Sequence, residues 1–291
     1  MNEVKKARFM LILSMAIFGT IGLFVKNINL SSGQLALCRA VMAAVLILLY
    51  LLVTGQRIDL RAIKKEIPLL LVSGAAMGIN WILLFESYRY TSVSIATLSY
   101  YFAPVIVIVA CPILFRERFT LKKILCFVGA TAGLALIIGV TGLGGSPRHL
   151  TGIVFGLGAA VFYATVILLN KAIKGVSGLH RTLLQFVAAV VVLIPYVACT
   201  EGLHFGGLDG KGVACLLVVG ILHTGVTYCM YFSSLRFLPG QESAILSYID
   251  PLVAVLVSVL ILGEPMTILQ AVGGVLLLGF TLLYEIGPKK D

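Results

Sequence analysis

Apolar runs of the length that a helix needs to cross a bilayer follow one another along the whole chain, at 9–26, 33–53, 67–88, 91–115, 121–141, 151–170, 180–199, 212–235, 240–262 and 266–286. A spanning helix takes about 20 apolar residues, so ten of them use roughly 200. The chain has 291 residues, which leaves short connections and no room for a sizeable soluble domain. Only 12% of the residues are charged, against about 25% in soluble domains. With a mean hydropathy of +1.08, most of the chain has lipid as its solvent. Backbone groups in lipid must be satisfied within the segment, so the runs are read as helices. The sequence predicts an all-α membrane protein of ten transmembrane helices.

A net charge of +10 would suggest nucleic acid in a soluble protein. Here the 22 Lys and Arg residues sit mainly in the connections and report orientation instead. With the N-terminus inside, 17 of them fall in inside segments, among them Lys5, Lys6, Arg8, Arg57, Arg61, Arg116, Arg118, Lys174, Arg236, Lys289 and Lys290. Lys26, Arg89, Arg148 and Lys211 fall outside, and Arg39 lies within a span. The asymmetry predicts a multi-pass protein of the cytoplasmic membrane with both termini cytoplasmic. The first run is long and lacks an A-x-A-like cleavage site, so it is read as an uncleaved span. Cys38, Cys111, Cys126, Cys199, Cys215 and Cys229 show no CxxC spacing and read as small buried hydrophobes, not as disulfides or metal ligands.

A shift of 147 positions lays Val72 on Val219, Gly78 on Gly225, Phe85 on Phe232, Ser87 on Ser234, Arg89 on Arg236, Tyr101 on Tyr248, Pro104 on Pro251, Glu117 on Glu264 and Thr120 on Thr267. The expected units are 1–145, holding helices one to five, and 146–291, holding helices six to ten. Five is odd, so the second unit must cross the membrane in the opposite sense. The charges agree: Arg116–Lys123 is strongly basic, whereas its mate Leu262–Thr267 has no Lys or Arg. Inverted repeats of this kind are the architecture of alternating-access transporters.

Each half ends in Pro104, Glu117 and a helix with Gly129 and Gly133, or in Pro251, Glu264 and Gly273–Gly274. In this pattern, which covers nearly the whole chain, the sequence resembles the EamA-like transporters of the drug/metabolite transporter superfamily. Glu86 departs from the family pattern, which more often has a small residue there. The resemblance implies secondary transport, often export, of small metabolites or amino acids.

Polar residues inside spans are expensive and so mark pathways. Ser243, Ser247, Asp250, Ala254 and Ser258 recur at helical spacing on one face of the ninth span. Asp250 lies ten residues after Gly240, about 15 Å deep and near the midplane. A titratable carboxylate there can exchange a proton for a cationic or zwitterionic substrate. Pro251 and Pro104 lack an amide proton and are expected to kink the ninth and fourth spans. The repeat maps Ser247 onto Tyr100, Asp250 onto Ala103, Thr227 onto Asn80 and Tyr228 onto Trp81. His223 and Thr227, four apart, form a second central polar face. The candidate site is thus Asp250, His223, Asn80, Thr227, Tyr100, Ser247, Ser243, Trp81, Tyr228 and Tyr248. Of Tyr100 and Tyr101, one is expected to face inward.

Arg39 and Glu86 both fall in the outer half and are expected to pair, as a structural bridge or a substrate clamp. The serine stripe is read equally as helix packing, and His223 as a satisfied interior histidine. The glycines Gly74, Gly78, Gly129, Gly133, Gly152 and Gly156 read as close-packing surfaces, and Glu117 and Glu264 as caps or loop ties.

No HExxH, GxSxG or paired-carboxylate constellation is present, so an enzyme is not expected. A channel would show a ring of repeated ligands. The sequence therefore points to a transporter that moves a small zwitterion or organic cation. Its expected central cavity is lined by the first, third, fourth, sixth, eighth and ninth helices, with no cofactor or metal. The expected partners are the substrate, the bilayer and protons, with a homodimer left open. A flippase for a lipid-linked or amphipathic substrate is the alternative.

Overall fold

The computed structural model describes residues 3–56, 63–115, 120–142, 147–173, 175–176, 178–203, 206–235, 237–238 and 240–285. Glu117, the boundary at 145/146 and the charges Arg57, Arg61, Arg116, Arg118, Lys174, Arg236, Lys289 and Lys290 lie outside the described residues.

Among the described residues the chain is helical and has no strand. It runs α1 (Glu3–Gly19), α2 (Ile21–Val25), α3 (Ser32–Val53), α4 (Ile67–Tyr90), α5 (Val93–Tyr100), α6 (Ala103–Phe115) and α7 (Leu121–Gly142). It continues with α8 (Pro147–Ala172), α9 (Gly178–Thr200), α10 (Gly210–Leu217), a π-helical segment (Val218–Val226), α11 (Thr227–Ser234), α12 (Gly240–Ser247) and α13 (Ile249–Leu256). A second π-helical segment (Val257–Ile261) and α14 (Ile268–Glu285) complete it. Among the described residues seven helical stretches are long and apolar enough to cross a membrane: Glu3–Val25, Ser32–Val53, Ile67–Tyr90, Val93–Leu114, Pro147–Ala172, Gly178–Thr200 and Gly210–Ser234. Ile249–Ile261 and Ile268–Tyr284 are shorter apolar helices. Large apolar side chains such as Leu52, Leu71, Ile113, Leu260 and Val275 are exposed on the outside of the bundle, the surface that a lipid environment requires.

Three stretches are interrupted. Helix α1 gives way to α2 at Thr20, α5 to α6 at Tyr101 and Phe102, and α12 to α13 at Tyr248. The last two breaks precede Pro104 and Pro251, which donate no hydrogen bond to the carbonyls of Tyr100 and Ser247 one turn back. The two breaks fall at positions related by the sequence shift.

Small residues set the helix packing. Helix α4 lies against α8 and α9, and α7 against α14. A side chain at Gly133 would run into the backbone of Gly273 and Leu277, and one at Gly74 into Gln185 and Ala188. This close approach of backbones is how membrane helices gain contact without a hydrophobic driving force. Gly152 likewise faces Thr91, and Gly156 faces Ser99, so these glycines are packing surfaces.

At the Lys26 end of the bundle, polar groups tie the helices together. The Glu264 carboxylate accepts from the Val93 amide at the start of α5 (2.8 Å), from the Ser258 hydroxyl (2.5 Å) and from the Lys26 ammonium. The Ser94 amide donates to the Ser258 hydroxyl at 3.1 Å. Glu264 is thus the loop tie that its position implied, fastening the ends of three broken stretches. Ser31 caps α3 in a capping box with Gln34 and also bonds to Glu201.

Candidate functional site

The broken helices meet around a cavity of about 370 Å³. Its charged groups are Asp250, in the first turn of α13, and Arg39 on α3. Asp250 Oδ2 accepts a 2.6 Å hydrogen bond from the Tyr101 hydroxyl. Both Tyr100 and Tyr101 line the cavity, contrary to the expectation that one alone would. Helix α5 ends at Tyr100, and Tyr101, at φ −72° and ψ 6°, leaves the helical path, so the two side chains need not point a helical step apart.

Arg39 is 5% exposed. Its Nε donates to the Thr224 hydroxyl at 2.7 Å, and its guanidinium carbon lies 4.4 Å above the Trp81 ring and 5.7 Å from Phe85. The expected Arg39–Glu86 pair is not formed. Glu86 instead accepts from Arg89 at 3.1 Å, three residues on along the exposed edge of α4. The face of α4 toward Arg39 carries the rings of Trp81 and Phe85, which hold a cation by their π faces.

An aromatic wall completes the site. Tyr100 stacks on Tyr163 (centroids 4.9 Å apart, 20° between planes), and Tyr228 meets both Phe18 and Phe186 edge-on. Ser247 also lines the cavity, its hydroxyl bonded to the Ser243 carbonyl at 2.8 Å.

The lining thus contains Asp250, Tyr100, Ser247, Trp81, Tyr228 and Arg39 from the sequence-derived set. Asn80, His223, Thr227, Ser243, Tyr248 and Glu86 are not brought to it. Asn80 is buried and donates to the Ala159 carbonyl at 2.6 Å, fastening α4 to α8. His223 is fully buried, with Nε2 2.9 Å from the Thr20 hydroxyl, Nδ1 3.2 Å from the Val218 carbonyl and Phe24 edge-on. Thr227 donates to the Leu222 carbonyl at 2.6 Å. Tyr248 packs against the core cluster that includes Ile95 and Leu98. His223 lies in the π-helical segment and Thr227 immediately follows it.

The cavity reaches further than the sequence indicated, taking Arg39 from the second span and Thr182 and Gln185 from the seventh. Tyr88, Tyr163, Asn170 and Tyr231 also line it. Tyr163 and Asn170 are seven apart on α8, and Thr182 and Gln185 three apart on α9, spacings that share a helix face and were available to find them. Gln185 Nε2 donates to Ser73 Oγ (2.6 Å) and Asn170 Oδ1 (2.7 Å).

An all-helical membrane bundle around a polar, charged cavity is the build of a transporter for small molecules. The chain belongs to the EamA-like transporter family, whose sequence profile matches residues 5–139 and again 150–285. It is 32% identical over 271 residues to the uncharacterized transporter YxxF of Bacillus subtilis, covering 92% of this chain and 85% of that protein. It is 22% identical to the uncharacterized inner membrane transporter YicL of Salmonella typhimurium, covering 100% and 98%. A chain in a solved crystal structure, 14% identical, superposes with a TM-score of 0.67 over 96% of each chain, a likeness of fold. The protein is therefore a multi-pass membrane transporter.

Proposed function

We propose that this chain is a secondary active transporter, not an enzyme, that exports a small metabolite such as an amino acid or an organic cation by alternating access through the central cavity. The observation that carries this reading is the placement of Asp250 and Arg39 in one aromatic-walled cavity beside the two proline breaks. A carboxylate and a guanidinium in one enclosed site suit a molecule that bears charge of its own, and a volume of about 370 Å³ suits a small one.

In this reading ten helices form two inverted halves, 1–145 and 146–291. The separate family matches to 5–139 and 150–285 and the breaks at Tyr101 and Tyr248 support it. Both termini are cytoplasmic and the membrane is the cytoplasmic one, as the charge distribution supports. Alternating access then amounts to opening and closing the Lys26 end, tied by Glu264, against the opposite end. Asp250 takes up and releases the coupling proton, with Tyr101 holding its carboxylate in position.

Flux in proteoliposomes tests this reading. An imposed proton gradient should drive concentrative uptake of at least one labelled amino acid or organic cation, and its dissipation should abolish it. Gradient-independent movement of labelled lipid with no flux of soluble solutes would sink the reading.

A further inference from the structure

We propose that Arg39 is the oxyanion subsite of the central cavity and takes the carboxylate of the transported molecule, a proposal that rests on the reading of that cavity as the substrate site. Buried charges are normally paired, because an unpaired one bears the full cost of leaving water. The ion pairs among the described residues are Arg8–Glu242, Lys26–Glu264 and Arg89–Glu86, so Arg39 has no protein carboxylate within ion-pair distance. Asp250 lines the same cavity but lies beyond ion-pair distance and is engaged by Tyr101.

Arg39 is nonetheless held as a binding group would be. Its Nε is fixed on Thr224, whose own hydroxyl donates to the Val219 carbonyl at 2.8 Å and so keeps a lone pair turned to the guanidinium. The Trp81 ring lies against its guanidinium carbon at 4.4 Å. The terminal nitrogens find no acceptor among the described residues, while the residue lines the cavity. A guanidinium oriented in this way presents a planar fork matched to a carboxylate's oxygens. The subsite separates the two substrate classes left open above: a zwitterion satisfies Arg39 and Asp250 together, whereas an organic cation without an anionic group leaves Arg39 unpaired.

The test is thermal unfolding of the purified full chain with three probe sets: the common L-amino acids, their C-terminal amides and the corresponding decarboxylated amines. At least one acid should stabilise the wild type while its amide and amine do not. Arg39→Gln should weaken that acid roughly 10- to 100-fold, the loss of a charge-assisted bond. Ligand-free Arg39→Gln should melt at or above the wild-type temperature, since it removes a buried charge that has no ion-pair partner. Arg39→Lys, which keeps charge but not the fork, should fall between.

The proposal is overturned if no acid stabilises the wild type, if amides match acids, or if Arg39→Gln binds the acid unchanged. It is equally overturned if Arg39→Gln melts well below wild type and Arg39→Lys restores stability without acid selectivity, which would make the guanidinium structural. Ser247→Trp fills the cavity and separates the levels. Loss of the acid response there, with its survival in Arg39→Gln, overturns the Arg39 assignment alone. Survival in both overturns the cavity reading as well.

Discussion

Replacing Glu264 by alanine should open the Lys26 end of the bundle, because that one carboxylate joins groups from three broken stretches. It accepts from the Val93 amide at 2.8 Å and the Ser258 hydroxyl at 2.5 Å, and it pairs with Lys26. Hydrogen bonds to a charged group contribute about 1.5–3 kcal/mol each, so the two neutral donors account for about 3–6 kcal/mol. The Lys26 side chain is 31% exposed, and its pair adds no more than about 1 kcal/mol. In an open state water reaches the freed donors and offsets part of this, leaving about 2–3 kcal/mol, or roughly a 30- to 150-fold shift toward opening. The assay is the rate at which a membrane-impermeant maleimide, added from the Lys26 side, modifies Thr97→Cys in a background cleared of the native cysteines. Thr97 lines the cavity and is 4% exposed. Glu264→Ala should accelerate modification by that factor and Lys26→Ala by no more than about fivefold. Wild-type labelling rates in Glu264→Ala would refute the reasoning, and equal effects of the two changes would place the tie in the ion pair instead.

Asp250→Asn keeps the size of the side chain and its bond from Tyr101 but cannot titrate, so proteoliposomes should retain downhill exchange and lose concentrative, proton-driven flux; full concentrative flux would show that Asp250 does not carry the coupling. Gly133→Val places side-chain atoms against the backbone of Gly273 and Leu277 and should cost about 1–3 kcal/mol or more. A lowered melting temperature in detergent checks it, with Gly279→Ala, which meets nothing within 4 Å, as the control. Cysteines introduced at Gly145 and Ala62 should react from opposite faces of the membrane; reaction from the same face would refute the inverted arrangement.

Which polar residues lie within helices was legible in the sequence, and direction around a helix axis was not. Counting residues marked Arg39 and Asp250 as lying within spans, and both line the cavity. The same count put Glu86 in the outer half with Arg39, but the side of α4 that faces Arg39 carries Trp81 and Phe85. A carboxylate three residues before Arg89 had a nearer partner on its own helix. Glu86–Arg89 is an i,i+3 pair that the sequence displayed. His223 and Thr227 misled for another reason. Their four-residue spacing predicts that they share a side of the helix but not what that side meets, and His223, in the π-helical segment Val218–Val226, meets Thr20 and Phe24 and not the cavity. No side-chain pattern within one helix announces which neighbour a face meets, because that is set by packing between helices. Gly220 and Gly225 there lie against Met42 and Leu46 of α3. The breaks at Pro104 and Pro251, in contrast, follow from one missing amide proton and were readable from the residue alone.

The repeat shift also shows where the two halves part company. Carried back to Arg39 it reaches Phe186, and the contacts correspond. Arg39 lies over Trp81, and Phe186 meets Tyr228, the mate of Trp81, with centroids 5.3 Å apart. Asp250 in turn corresponds to Ala103, which is fully buried. Each charge of the cavity thus stands where the other half has an apolar side chain. A pseudo-symmetric scaffold needs matching prolines, glycines and aromatic contacts in both halves to open equally to either side. A substrate needs the reverse, since a molecule with distinct ends binds one way round only where the halves differ. In the proposed reading the prolines and tyrosines at the breaks meet the first requirement, and Arg39 and Asp250 meet the second. Substitutions at the matched positions should therefore disturb opening and closing for every substrate alike, whereas substitutions at Arg39 and Asp250 should change which molecules are carried.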